Sequence, residues 1–376
     1  MNSGSDGSAP RRPPRIGLAL GSGSARGLAH IGVIQALQEH GIPVHLVAGT
    51  SIGAVIGAVF ASGNIEKLRD TYLGFDWRRV AYFMDVVFPR SGLIDGKRLS
   101  DFVREFVRSE QIENLPLPFT AVAADLATGE AILFRRGDLI NAVRASFSVP
   151  GMFTPVRFAG RVLVDGGLVD PVPVGPARGM GADVVIAVDL NLGLVGHGMG
   201  VWEPEPGAAG HHPAGGAVEL HSPTRFEEEA SLDPDSAGAA PGGMEPLGDA
   251  LREALARKGP RGLFREAMER IERGLKGEAG GPAEEAARPW LQPGPVPNIF
   301  EVILASINIM SAQITLARLE EGAPNLLIRP PVEEYRFLDY HRAAEIIPAG
   351  YEAATRALAE VDPETLASWR GSSPSD

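Results

Sequence analysis

Apolar and polar positions fall into short, distinct blocks along the first half of this chain. "RIGLAL" is an apolar run bounded by a charge and a glycine, which predicts a buried strand. After the stretch "GSGSARG", the segment "LAHIGVIQALQEH" has helical spacing and stops at Gly41, placed as a C′ residue. "HLVAGT" predicts a second strand, and "IGAVIGAVFAS" an apolar helix directly behind it. Strand, loop, helix, strand and helix make a βαβα order. It predicts an α/β fold with a mostly parallel central sheet and helices on both faces. Further along, "LSDFVREFVR" and "LINAVRASF" predict helices, and "FTAVAADLATGEAILF" two strands around a Thr-Gly turn. "RVLVDGG" predicts a strand entering a glycine turn, and "ADVVIAVDL" a buried strand. Near the end come a helix in "IFEVILASINIMSAQITLARLEEG", a strand in "NLLIRP" and a helix in "YHRAAEIIPAGYEAATRALAEV".

Between 192 and 298 the pattern gives way to Gly, Pro and Ala with acidic runs. Residues 192–300 hold 17 acidic and 10 basic residues, so −7 of the chain's net −12 lies there. A connection of that length is not a normal loop in a compact domain, so it reads as an acidic insertion. Two stretches in it have helical periodicity; in one, Phe264, Met268, Ile271 and Leu275 share a face beside basic residues. The expected organisation is a disordered tail at 1–14, a first catalytic part at 15–191, the insertion at 192–298, a second part at 299–365, and a disordered tail at 366–376. The N-terminus has no apolar run behind its basic residues, and no stretch reads as the roughly 18 apolar residues of a membrane span. The expectation is a soluble, cytoplasmic protein with at most peripheral membrane contact. The net charge of −12 argues against nucleic-acid binding. The absence of cysteine removes disulfides, thiolate catalysis and Cys-ligated zinc.

Candidate chemistry sits in the turns after the first two strands. Gly49-Thr50-Ser51-Ile52-Gly53 is a G-x-S-x-G frame, which presents a serine on a tight strand-to-helix turn. The loop Gly21-Ser22-Gly23-Ser24-Ala25-Arg26-Gly27 lies between a strand and a helix, where backbone N–H groups can converge on an anion. A dinucleotide site fits poorly: the third glycine comes one position late, and the second strand ends without the acidic residue that binds a ribose. In a parallel sheet the turns after neighbouring strands emerge at one edge. The N–H groups around Gly23 and Ser24 can then face an oxyanion formed at Ser51.

The serine needs a base. Of the histidines after it, His197, His211, His212 and His221 lie in the insertion, and His341 opens a late helix. His30, His40 and His45 precede it. Asp165, in "VLVDGGLVDPVPV", ends an apolar strand before Gly166 and Gly167, the same kind of place as Ser51. An aspartate is a weak base in water, with a pKa of about 3.9, but burial beside a hydroxyl raises it. The alternative is that Asp165 only shapes its turn.

Together, "GSGSARG", "GTSIG" and "DGG" in this order resemble the patatin-like phospholipase family. The stretches "VAADLATGEAILFRRGDLINAVRASFSVPGMFTPV" and "DGGLVDPVPVGPARGMGADVVIAVDL" resemble it further. The likeness covers 15–191 well and 299–362 loosely. It implies a patatin-like three-layer sandwich and a Ser-Asp dyad, with Ser51 as nucleophile and Asp165 as general base. It implies an oxyanion hole within Gly21, Ser22, Gly23, Ser24 and Ala25. Arg26, Gly27, Gly49, Gly53, Gly166 and Gly167 would support the motifs, with Arg26 ordering the loop or facing an anion. The implied activity is hydrolysis of lipid acyl esters with no metal or organic cofactor. Two departures stand out. Ser22 and Ser24 replace glycines found in many members, and a positive φ at Ser24 would strain the loop and lower activity. The insertion does not align to the family. Two other readings remain: an esterase or thioesterase on soluble acyl groups, and a non-catalytic lipid- or partner-binding protein of the same fold.

Overall fold

The computed structural model describes residues 12–83, 94–194 and 299–371. The amphipathic stretches of the insertion lie outside the described residues. All described residues belong to one compact unit, assembled from both sides of the insertion. Its strands are β1 (Ile16–Leu20), β2 (Leu46–Thr50), β3 (Phe119–Asp125), β4 (Ala131–Phe134), β5 (Val156–Phe158), β6 (Arg161–Asp165), β7 (Val184–Val188) and β8 (Leu326–Ile328). Its helices are α1 (Ala29–Glu39), α2 (Ile52–Ala61), α3 (Ile65–Leu73), α4 (Trp77–Phe83), α5 (Lys97–Arg104), α6 (Leu139–Ser146), α7 (Val174–Gly179), α8 (Ile299–Glu321), α9 (Ala343–Ala359) and α10 (Pro363–Arg370).

Five strands in the order β8-β7-β1-β2-β3 run parallel; β4 and β6 pair antiparallel with β3, and β5 pairs antiparallel with β6. From β1 the chain builds β2 and β3 to one side and β7 and β8 to the other. The loop after β1 therefore opens at a topological switch point, where sheets of this kind bind ligands. Side chains on β1, β2 and β7 alternate with period two. Leu18, Leu20, Val47, Ile186 and Val188 face the large core under α1, α2 and α9. Ala19, Leu46, Ala48, Val185 and Ala187 face the smaller layer under α7. This is the expected three-layer α/β sandwich.

The longest strand, β3, sets the register of the rest. β4 pairs with it along Ala121–Ala124, occupying one edge. Along the other edge β2 pairs as far as Val122, and β6 takes over at Ala123. β2 and β6 therefore arrive head to head, with Thr50 opposite Val122 and Asp165 opposite Ala123.

Several elements were not predicted. α7 begins at the last residue of "DPVPV"; Pro176 sits in its first turn, where a missing N–H costs nothing. α10 runs past the expected boundary at 365, because the Asp362 side chain accepts from the N–H groups of Glu364 and Thr365, and Trp369 is buried. Arg12–Pro14 likewise lie within the described residues, inside the expected tail. α8 corrects the expectation about membrane spans: Val302–Glu321, with mean hydropathy 1.5, is long and apolar enough to cross a membrane by length and composition. Its inner side makes polar contacts with the protein, since the Ser311 hydroxyl donates to Gly167 O at 3.1 Å.

α9 docks the second part of the chain on the first, lying along α1. Two glycines allow this approach. A Cβ at Gly32 would overlap Ile347 O, and one at Gly350 would overlap Ala29 O. Gly350→Val should destabilise the fold by about 3 kcal/mol, since overpacked cores shift backbone at that order of cost. Urea unfolding checks this; an unchanged midpoint would show that the two helices separate freely.

Candidate active site

Ser51 stands between the end of β2 and the start of α2, with φ 57° and ψ −121°. A residue with a Cβ avoids positive φ, so the turn must be held in place. Gly49 and Gly53 make it possible: a Cβ on Gly49 would overlap Gly53 O, and one on Gly53 would overlap Leu20 O. The Ser51 N–H donates to Ser146 Oγ at 2.8 Å, and Ser146 Oγ donates to Val122 O at 2.6 Å. The elbow is thus bonded through α6 to β3.

Asp165 enters from the opposite direction at the end of β6. The Ser51 hydroxyl donates to its Oδ2 at 2.5 Å, and the Gly167 N–H donates to its Oδ1 at 2.7 Å. The Asp165 N–H donates to Ser148 O at 2.9 Å. The glycines of the turn answer to crowding, since a Cβ on Gly166 would overlap Val122 O and one on Gly167 would crowd Ser22. Asp165 is 5% exposed. Burial pushes its pKa up to about 7, against the opposing pull of the Ser51 and Gly167 hydrogen bonds.

The loop Gly21–Arg26 lies across the same opening. Three of its five candidate amides are spent on the fold: Gly21 N donates to Val188 O, Ser22 N to Pro171 O and Ala25 N to Phe337 O. The amides of Gly23 and Ser24 have no acceptor among the described residues. Ser24 has φ 50°, so the condition for strain in this loop is met. The Ser22 hydroxyl accepts from Asn191 Nδ2 at 2.9 Å. Gly27 lets the loop pack on α2, because a Cβ there would overlap the Ile52 side chain. Arg26 is buried, donating to Tyr335 O at 3.4 Å and Asn308 Oδ1 at 3.3 Å; burial lowers its pKa to about 10. These contacts order the loop.

The described histidines stand elsewhere, and His197, His211, His212 and His221 lie outside the described residues. His30 is buried and its Nε2–H donates to Gly21 O at 2.8 Å; burial lowers its pKa to about 4, so it is neutral. His45 Nδ1 accepts from Ile16 N, and the ring of His40 bonds Ala36 O. His341 is exposed, edge-on to Trp77.

Ser24 and Ser51 open into a cavity of about 780 Å³, its open mouth included. Eight of the chain's 24 aromatic residues line it: Tyr72, Phe75, Phe83, Phe102, Phe147, Phe153, Phe337 and Tyr340. With a third of a scarce residue type gathered here, the wall is fit for a hydrocarbon chain. No cluster of metal-ligating side chains exists among the described residues.

The model for the patatin-like phospholipase family matches residues 18–178, which contain all three motifs. An uncharacterised NTE family protein of Mycobacterium tuberculosis (strain H37Rv) is 36% identical over 345 residues, covering 92% of this chain and 91% of its own. The chain belongs to the patatin-like phospholipase family. Membership makes it a lipid ester hydrolase in class. A lysophospholipase of Aspergillus fumigatus is 36% identical over 184 residues, 47% of this chain but 12% of the relative. Among solved structures, VipD from Legionella pneumophila covers 93% of this chain and 67% of its own, at 14% identity and a TM-score of 0.37, too distant to bear on the site.

Sequence reasoning missed Ser146, Asn191 and the cavity aromatics of this family member. Ser146 had a faint signal, a small polar residue closing an apolar helix; the aromatics come from six separate segments and had none.

A raised carboxyl pKa has a stability consequence with a definite sign. The folded state binds the Asp165 proton up to about pH 7; the unfolded chain releases it near 3.9. The wild type therefore loses stability as pH rises through that window. Asp165→Asn should be more stable than wild type by about 4 kcal/mol at pH 8 and by only about 1 kcal/mol at pH 4.5. Denaturant melts at both values check this, and a variant less stable at pH 8 would contradict it.

Proposed function

We propose that this chain is a phospholipase A or lysophospholipase that cleaves lipid acyl esters with a Ser51–Asp165 dyad. The observation that carries the reading is the buried 2.5 Å hydrogen bond from Ser51 Oγ to Asp165 Oδ2, at the end of an apolar cavity. The acyl chain lies among the aromatics, with its carbonyl carbon at Ser51. Asp165 takes the hydroxyl proton as Ser51 Oγ bonds to that carbon. The carbonyl oxygen becomes an oxyanion held by the N–H groups of Gly23 and Ser24, each such donor being worth about 2.7–4 kcal/mol. Asp165 then protonates the departing alcohol oxygen as the ester bond breaks, leaving an acyl-serine. Water repeats the cycle with Asp165 as base, releasing the fatty acid and restoring the Ser51 hydroxyl. A carboxyl with a pKa near 7 is matched to both halves of this proton transfer.

Lipid arrives from an aggregate on this reading. The start of α8 packs beside the cavity wall, where Ile303 meets Gly151 next to the lining residue Met152. Val302, Ile309, Met310 and Leu316 on the same helix are exposed. This supports peripheral contact with a lipid surface.

Ser51→Ala should abolish turnover of lysophospholipid micelles and labelling by a fluorophosphonate. Asp165→Asn should lower kcat by roughly 10²–10⁴-fold, because an amide keeps the turn but cannot accept the proton. His341→Ala should change it little. An active Asp165→Asn beside an inactive His341→Ala would replace the dyad with a histidine mechanism. Comparing micelles with a short soluble ester tests the substrate class; equal kcat/KM on the two would favour a soluble acyl esterase.

A further inference from the structure

Serine at position 24 costs backbone strain, yet its side chain is not idle. Ser24 Oγ donates to Phe337 O at 2.6 Å. Its single hydrogen is then committed, so in the 3.3 Å contact with Tyr340 the tyrosine donates and Ser24 Oγ accepts. Tyr340 is held protonated by burial, its pKa pushed up to about 12. The next amide in the loop, Ala25 N, donates to the same Phe337 O at 3.2 Å. Phe337 and Tyr340 belong to the second part of the chain, more than 300 residues from the loop, and both line the cavity beside Ser51.

We propose that Ser24 is a positioning residue: its hydroxyl, clamped between Phe337 O and Tyr340 OH, holds the loop at φ 50° so that the Ser24 N–H faces the oxyanion. The proposal rests on the oxyanion-hole reading above and deepens it. The backbone alone does not hold this geometry, because serine at positive φ relaxes toward negative φ when released. The clamp supplies the restraint, and the oxyanion site is complete only when the second part of the chain is docked. Glycine at 24 adopts the same φ without strain but has nothing for Phe337 and Tyr340 to hold. Strain and clamp therefore make opposite predictions for one substitution.

The test compares wild type, Ser24→Gly, Tyr340→Phe and the double variant by kcat and KM on a p-nitrophenyl ester, fluorophosphonate labelling rate and thermal midpoint. Ser24→Gly should lower kcat about tenfold or more, less than the roughly 10²–10³-fold expected for outright loss of a donor. KM should stay within about twofold, labelling should slow in parallel, and the thermal midpoint should hold or rise as strain is relieved. Tyr340→Phe should slow kcat in the same direction. The double variant should be no slower than Ser24→Gly, because both changes open one clamp. A Ser24→Gly enzyme as fast as wild type or faster, or losses that multiply in the double variant, overturns the proposal while leaving the dyad intact. A wild type without Ser51-dependent turnover or labelling overturns the reading beneath it.

Discussion

One edge of β3 carries two strands, and the site depends on that sharing. β4 fills the opposite edge, so β2 and β6 lie in line along this one and stop where Val122 gives way to Ala123. Ser51 follows directly on β2 and Asp165 ends β6, and the register leaves their side chains a hydrogen bond apart. A slip of one residue in either pairing would turn a side chain to the other face of the sheet. Val122 serves both sides of the join: its carbonyl accepts from Ser146, which anchors the Ser51 amide, and it leaves no room for a Cβ on Gly166. Gly166 is a consequence of this crowding.

Burial sets the proton affinity of the proposed base. Asp165 is buried and bonded to Ser51, which lines the apolar cavity, and burial disfavours its charged form. The Gly167 N–H and the Ser51 hydroxyl restore part of the lost solvation. The balance leaves a carboxyl pKa near that of an imidazole, about 7. On the proposed mechanism Ser51 needs no histidine, and His30, whose pKa is driven down to about 4 while it donates to Gly21 O, braces the loop.

The sequence made the central strands and the helices around them legible because burial on alternate faces leaves a period of two, and α1 and α2 carry continuous apolar runs. Ser51 and Asp165 were legible because tight turns leave glycines beside them. The shared edge of β3 was not, since antiparallel pairing of β6 depends on residues more than 35 positions away from β3's own. The partners of the Ser24 side chain were not legible for the same reason. Its positive φ was anticipated as a cost, whereas its partners Phe337 and Tyr340 come from beyond the insertion. The end of α10, past 365, falls in the expected tail because an Asp-Pro cap and one buried Trp369 are weak signals against a Ser- and Pro-rich end.

The central claim is that a buried carboxyl, acting alone, activates Ser51. The most direct measurement is the pH dependence of the rate at which a fluorophosphonate modifies Ser51. The reagent does not itself ionise, so the profile reports the base. The account predicts a single ascending limb of unit slope with its midpoint at about pH 7, unchanged in His341→Ala and His30→Gln, and lost in Asp165→Asn. A midpoint near pH 4, the ordinary carboxylate range, or an ascending limb that survives Asp165→Asn and disappears with a histidine, would contradict it.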